Sequence, residues 1–600
     1  MPYVKEDFTW LYPFKWIIPS ACWATVVLLF GALWWFPTFW LWFVWALAIL
    51  YGVISARQVV RAIRSVLGIK AALSRNDITQ EMRANDGPEV LETFLRSEPD
   101  CYHVICVVNY KEPLLILRAT LGKLAEHYSA KRDHIICMAM EMAETEAVEK
   151  AEQLIGEFKL QFRGMYFTLH EKQEGELRGK LSNADWAFVH ASENLAEMNI
   201  PDAKVLMTAI DADAEVPELY FEEISRMWKE MGQDTKRKVP RENIVFGAPG
   251  LLERNCMEVP FFTRAMDSCW MALAMQQMGT AIGFGFPISN FTVSLDLLQR
   301  INFLDTHEDA IADDSHVILK AFFKTNGMAR FQAVWAPINM LNLNEGNYFK
   351  TLWARFIQAK RHFRGQHDFS YGLKQMLTTR PCWLTPFVLI KLLETHMMTV
   401  LGPLYMMGAI PFIQLMSWIN LPVMNFNRAV FMPNPDVVIA FGASLLVAYI
   451  TLIVSYELVR RDCNRRLYHQ ESPSVLWSWQ YIALIPDTFA YVIIPHMLTS
   501  TFSLIPCIDQ GGFKVSAKVI VSGEPASVLP ALPQGRKDAD AISVVTVEDD
   551  TSPANSSGDI VDPKHEAASV AADAQGTSEP VHRLPEPLMI PEPTPVMAAA

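Results

Sequence analysis

Two apolar blocks bracket this chain, one before residue 57 and one between residues 382 and 507, with a mixed-polarity stretch of roughly two domains' length between them. Segments 16–36 and 37–56 are each about long enough to cross a bilayer, so the chain begins as a helical hairpin in a membrane. Trp34, Trp35, Trp40, Trp42 and Trp45 crowd the turn between them, as an interfacial aromatic belt would; a buried soluble hairpin is the plainer alternative. A cleavable signal peptide is not expected. No short apolar core ends in a small-residue cleavage site, and a second apolar segment follows at once. Arg57, Arg61, Arg64, Lys70 and Arg75 interleave with Val59, Val60, Ile63, Val66, Leu67 and Ile69, which predicts a basic amphipathic helix lying on an anionic leaflet. Positive residues favour the inner face, so residue 57 onward is expected in the cytosol, with the N-terminus on the same side.

The second block is less regular. Residues 383–396 read as interfacial, because Lys391, Glu394 and His396 interrupt them; 397–421 and 437–456 read as spans. Arg460, Arg461, Arg465 and Arg466 form a second basic cluster, again expected to be cytosolic. Segment 475–504 is broken by Pro486, Asp487 and Pro495, and is either one kinked span or a re-entrant segment. If all three C-terminal segments cross once, the tail is lumenal and Asn555-Ser556-Ser557 is a usable glycosylation acceptor, whereas Asn290-Phe291-Thr292 stays bare in the cytosol. The tail is rich in Pro, Ala, Ser, Asp and Glu, a composition that predicts disorder. The expected divisions are a hairpin at 1–56, a basic linker at 57–99, a cytosolic domain at 100–381, interfacial and membrane helices at 382–508, and a tail at 509–600. A formal charge of −13 argues against nucleic acid as a partner. The nine cysteines form no CxxC pair, which favours reduced core residues over a disulfide framework.

The central region alternates strands and helices. Residues 102–108, 134–140, 164–170 and 204–210 are the strand candidates, with helices at 114–127 and 144–158 between them, which predicts an α/β fold with a mainly parallel sheet. The fourth strand delivers Asp211-Ala212-Asp213 at its C-terminal end, where open α/β sheets bind ligands. Two carboxylates leaving such a strand can hold a hard divalent cation, and that cation can neutralise a diphosphate. Asp538-Ala539-Asp540 repeats the same letters in the tail, with no strand before it, and is read as solvated.

Three further stretches carry chemistry. In Gly179-Lys180-Leu181-Ser182-Asn183 a loop lysine can approach phosphate oxygens, although a solvated lysine is the plainer reading. His307-Glu308-Asp309-Ala310-Ile311-Ala312-Asp313-Asp314 packs carboxylates tightly enough to raise one pKa and leave a base for a hydroxyl; the alternative is a helix N-terminus decorated with acids. On a helix, Gln358 and Arg361 share a face, and the guanidinium suits a diphosphate; a basic juxtamembrane helix touching headgroups is the alternative.

Together these motifs resemble the membrane-embedded family 2 glycosyltransferases, the group with cellulose, chitin and hyaluronan synthases and ceramide glucosyltransferase, over roughly residues 100–365. Val107-Val108-Asn109-Tyr110-Lys111-Glu112 is similar to the family's first strand and acidic turn, and Gly179-Lys180 with Asn183 to its segment beside the donor. Asp211-Ala212-Asp213 matches the metal-binding Asp-x-Asp, Asp313-Asp314 the motif ending in the base, and Gln358-x-x-Arg361-His362 the Gln-x-x-Arg-Trp. The resemblance implies a GT-A topology and inverting transfer from a nucleotide-diphosphate sugar, with a UDP-sugar expected, to a polysaccharide or lipid acceptor. It implies Mg²⁺ or Mn²⁺ on Asp213 and Asp211, Asp314 aided by Asp313 as base, and donor contacts from Glu112, Glu141, Lys180, Asp211, Gln358, Arg361 and His362. Residues 287–290 are candidate acceptor contacts. The departures are specific. Glu141 or Glu144 stands where many members have Asp, Glu308-Asp309 offers a competing register for the base, and His362 replaces a Trp that lines the acceptor site of polymerising members. An inactive scaffold or transporter subunit that keeps the fold is the alternative from another class.

Overall fold

The computed structural model describes residues 14–173, 176, 179–280, 283–307, 313–379, 382–405, 435–470 and 475–505; at Asp313 and Asp314 it describes the backbone alone. Glu308, Asp309, most of the expected span at 397–421, Cys507, both tail motifs and the tail itself lie outside the described residues.

The strands are β1 (Tyr102–Val108), β2 (His134–Glu141), β3 (Gly164–His170), β4 (Val205–Asp211), β5 (Ile244–Gly247), β6 (Gly250–Leu251), β7 (Phe291–Ser294), β8 (Arg330–Ala333) and β9 (Ile338–Asn339). Seven of them form one sheet in the order β3-β2-β1-β4-β7-β5-β8, and β6 pairs with β9 apart from it. The first four strands are mutually parallel, β7 runs antiparallel between β4 and β5, and β5 pairs parallel with β8. This is the mainly parallel α/β arrangement expected of a GT-A fold. Every residue of β1 and β2 is buried, because helices cover both faces. Val104, Cys106 and Val108 belong to one apolar core and Ile105 and Val107 to the other, so successive side chains serve opposite layers. The Asn290-Phe291-Thr292 sequon is buried as well: Thr292 Oγ1 hydrogen-bonds Thr208 Oγ1 and the Tyr220 hydroxyl, each at 2.8 Å.

Four helices among the described residues are long and apolar enough to cross a membrane: Thr38–Ala84, Thr385–Leu404, Ile439–Leu467 and Trp479–Leu504. The last is one continuous helical run with a π-turn at Phe489–Ile493, so Pro486 and Pro495 do not interrupt it. The apolar hairpin turns at Phe36, between helices Ile17–Trp35 and Pro37–Ala84. Trp40 is buried there and donates to the Leu29 carbonyl at 3.1 Å, while Trp42 is exposed.

The basic stretch after residue 57 is helical, as expected, and keeps Val60, Ile63 and Leu67 exposed. It continues the second hairpin helix into a single helix of 48 residues, about 72 Å long, more than twice a hydrocarbon core of roughly 30 Å. Several of its arginines pair with carboxylates, while Arg64 and Lys70 are exposed. Arg61 and Arg57 pair with Glu394 at 2.8 and 3.2 Å, Arg75 with Glu223 at 2.8 Å, and Arg83 with Glu218 at 3.0 Å. Gly68 allows the closest approach, since a Cβ there would fall 2.6 Å from the Trp335 indole nitrogen. The segment read as interfacial behaves similarly: Lys391, Glu394 and His396 are buried, with Glu394 in a π-turn that faces Arg61. All described cysteines are unpaired.

Candidate active site

The chain runs outward from β1 to β2 and β3, then returns to β4 on the other side of β1, so the β1/β4 boundary is the sheet's topological switch point. There Val108 is in register with Asp211, which sets the turn after β1 beside the Asp211-Ala212-Asp213 turn after β4.

Buried polar groups hold the first turn. Asn109 donates from Nδ2 to Glu144 Oε2 at 2.9 Å and accepts from the Glu112 amide at 3.2 Å. Lys111 takes a left-handed φ of 61° and donates its amide to the same Glu144 oxygen at 3.0 Å. Asn183 donates to the carbonyls of Asn109 (3.2 Å) and Ala139 (2.8 Å), so it stitches β1 to β2. Glu112 is left half-buried at the cleft side of this turn. Glu144, one of two candidates for a nucleotide contact, is committed to the turn and to Lys150.

Glu141, the other candidate, ends β2 and is buried against His170, whose Nδ1 lies 2.9 Å from Glu141 Oε1 and Nε2 3.1 Å from Glu176 Oε2. Carboxylates only accept, so both ring nitrogens must carry protons. Burial pushes the imidazole down, but the bonds to Glu141 and Glu176 outweigh it and raise it to about 9. Glu176 also forms a β-bridge with His307, which ties this corner to the start of the acidic segment.

At the second turn, the Asp211 amide donates to Asn290 Oδ1 at 3.0 Å, and Asp211 Oδ1 lies 2.8 Å from Lys180 Nζ. Lys180 opens helix Lys180–Val189 and also reaches the Ser289 carbonyl. Asp213 is buried; its Oδ2 accepts from the Leu341 amide at 3.2 Å, and Arg254 Nη1 donates to its carbonyl at 2.9 Å. Among the described residues no three His, Cys, Asp or Glu side chains gather as a self-sufficient metal site. Two carboxylates do fit a hard cation that keeps water and shares oxygens with a phosphate.

Arg254 and Asn290 brace the Asp-x-Asp turn. Sequence reasoning gave Arg254 no role and placed Asn290 only among candidate acceptor contacts. Glu253, beside Arg254, accepts from Arg460 at 2.9 Å and Asn464 at 3.2 Å, so the helix Pro435–Leu467 anchors the same loop. Burial raises the Glu253 carboxyl, and Arg460 offsets this only in part.

Asp313 and Asp314 are the first two residues of helix Asp313–Lys324. Just after them, His316 is buried between Asp305 (Nε2 to Oδ2, 2.9 Å) and Asp368 (Nδ1 to Oδ1, 2.8 Å). Lys320 Nζ adds a 2.7 Å contact to Asp305 Oδ1. Burial pushes Asp305 up, but Lys320 and His316 hold it at about 2. Helix Tyr348–His362 begins at the Asn347 cap and carries Gln358 and Arg361, both half-buried, with His362 exposed near its end. Gln358 Oε1 accepts from Arg355 Nη1 at 3.2 Å, and buried Arg355 pairs through Nε with Asp267 Oδ1 at 2.6 Å. The structure thus sets β1's turn beside Lys180 and Asp211 at the sheet's edge, and ties Asp305 and His316 to the stretch after the Gln358 helix.

Residues 206–502 match the family model described as Glycosyl transferase family group 2, a range that holds Asp211-x-Asp213, Asp313-Asp314 and Gln358-x-x-Arg361. No curated protein matches the sequence. Among solved structures, the chain is similar to the mannosyltransferase PcManGT from Pyrobaculum calidifontis, solved with GDP-Man and Mn²⁺. That likeness is at 13% identity and a TM-score of 0.36, covering 69% of this chain and 100% of the other. The sheet order and the family match agree: residues 206–502, just under half of the chain, are similar to the family group 2 glycosyltransferases and hold the Asp-x-Asp turn at the sheet's switch point.

Proposed function

We propose that the protein is a membrane-bound inverting glycosyltransferase that moves a sugar from a nucleotide-diphosphate donor, a UDP-sugar by preference, to a lipid or polysaccharide hydroxyl. The observation that carries this reading is the alignment of Val108 with Asp211, with Lys180 bridging to Asp211 Oδ1 at 2.8 Å. That geometry gathers an acidic turn, an Asp-x-Asp and an ammonium where a parallel sheet binds nucleotides. Asp213, with Asp211, would hold Mg²⁺ or Mn²⁺, and the bound cation would supply Lewis-acid stabilisation of the diphosphate leaving group. Lys180 now satisfies Asp211; with a donor in place its ammonium is within reach of phosphate oxygens instead. Glu112 and Glu141 would contact the nucleotide, with Glu141 held by His170. Asp314 deprotonates the acceptor hydroxyl, aided by Asp313, for in-line attack at the anomeric carbon. Gln358 and Arg361 stabilise charge on the departing diphosphate. The exposed His362 in place of a Trp, and only four candidate spans among the described residues, favour single transfer to a lipid over polymer extension. The test is to incubate purified membranes with a panel of nucleotide sugars and measure nucleoside diphosphate release with and without divalent cation. Metal-dependent release for one donor supports the reading; release for none refutes it.

A further inference from the structure

We infer that His316 is a positioning residue: one imidazolium that fixes the first turn of helix Asp313–Lys324, and with it the acceptor-activating carboxylate, against the stretch that follows Gln358 and Arg361. The role rests on the function proposed above, but the clamp itself is a matter of geometry. His316 Nδ1 and the Ser315 hydroxyl both donate to Asp368, the first to Oδ1 at 2.8 Å and the second to Oδ2. Neighbouring helical residues point about 100° apart, so anchoring 315 and 316 to one carboxylate fixes the rotation of the turn that begins with Asp313 and Asp314. His316 Nε2 donates to Asp305 Oδ2 at 2.9 Å, across 11 residues, so the same ring also holds Asp305 to the helix. Asp305, His316, Lys320 and Asp368 are all at most 5% exposed, so solvent does not weaken these bonds. Asp368 lies in helix His367–Thr378, which follows the turn Phe363–Gln366 and the Gln358-bearing helix without a break. The imidazolium is therefore the hinge pin between base and leaving-group binder, and neutralising it removes one of its two bonds, since each carboxylate can only accept.

The full-length protein in membranes or detergent tests this with His316→Ala, Asp368→Asn and Ser315→Ala. For transfer, His316→Ala is expected to lower kcat about 10²-fold while donor KM moves less than about threefold, because misplacing a reacting group by about 1 Å costs that much. Ser315→Ala, which loses one anchor of two, should fall between it and the native protein. The second readout needs no turnover: hydrogen exchange of amides 305–307 and 313–318 should accelerate in His316→Ala and Asp368→Asn while β1 and β4 stay protected. Unchanged exchange in that segment, or a native kcat in His316→Ala, overturns the inference. Exchange that rises equally throughout the domain also overturns it, since the histidine would then be general structural support. A native protein that transfers nothing refutes the function alone, because the exchange experiment still decides the clamp.

Discussion

Replacing Asp267 by Leu should destabilise the protein by about 3–5 kcal/mol, because it strands the Arg355 guanidinium in a dry interior. The pair is tight: Nε to Oδ1 is 2.6 Å, and the side chains are only 3% and 8% exposed. Burial raises the Asp267 carboxyl and Arg355 offsets this only partly, as expected when each charge depends on the other. Arg355's other neighbours are Gln358 at 3.2 Å, a neutral amide, the Tyr491 ring at 6.0 Å and, at longer range, the Asp487 carboxyl, none of which reproduces the 2.6 Å ion pair. At about 2–4 °C per kcal/mol for a domain of 150–250 residues, the loss corresponds to at least about 6 °C in melting temperature. The assay is the monodisperse fraction of detergent-solubilised protein after heating. Asp267→Asn keeps an acceptor and should lose less. The double variant Asp267→Leu/Arg355→Met should recover most of the loss, because two apolar side chains leave no charge behind. A single variant that melts within about 1 °C of native, or a double variant no better than the single, would refute the argument.

Asp213→Asn should reduce transfer at least about 10²-fold with folding intact, and chelation of divalent cations should have the same effect on the native protein; diphosphate release measures both. Asp314→Asn should abolish transfer while Asp309→Asn leaves it, and the reverse outcome in the same assay would place the base in the other register. His170 is raised to about 9, so its contribution to stability is complete below about pH 6.5 and is lost as pH rises through about 9. Melting scans from pH 6.5 to 10 should therefore fall less steeply in His170→Asn than in the native protein. Removing residues 520–600 should leave metal-dependent turnover nearly unchanged, since the polar, Pro- and Ser-rich sequence around Asp538 and Asp540 is read as solvated.

Three of the first four strands were legible in the sequence because a parallel sheet covered on both faces needs a continuous apolar run, which 102–108, 134–140 and 204–210 display; the edge strand 164–170 was legible from its alternation instead. The Asp-x-Asp was legible for the same reason, standing where such a run stops. β5, β7 and β8 were not: each is four residues long, too short to show a period, and β7's antiparallel course between β4 and β5 is a matter of pairing partners. The arginines at 57–75 show a limit of another kind. Apolar and basic residues alternate in the same way on a helix that meets lipid headgroups and on one that meets Glu394 and Glu223, so only packing decides which face is covered. The bracing of the site was likewise hidden. Arg254 reaches the Asp213 carbonyl across 41 residues and His316 reaches the Asp368 carboxylate across 52, and no local pattern encodes a bond between groups that distant. Composition and periodicity set which residues are strand, span and candidate ligand. The folded chain alone decides which charges neutralise one another, because that depends on distances of a few ångströms in a medium where an unpaired charge is costly.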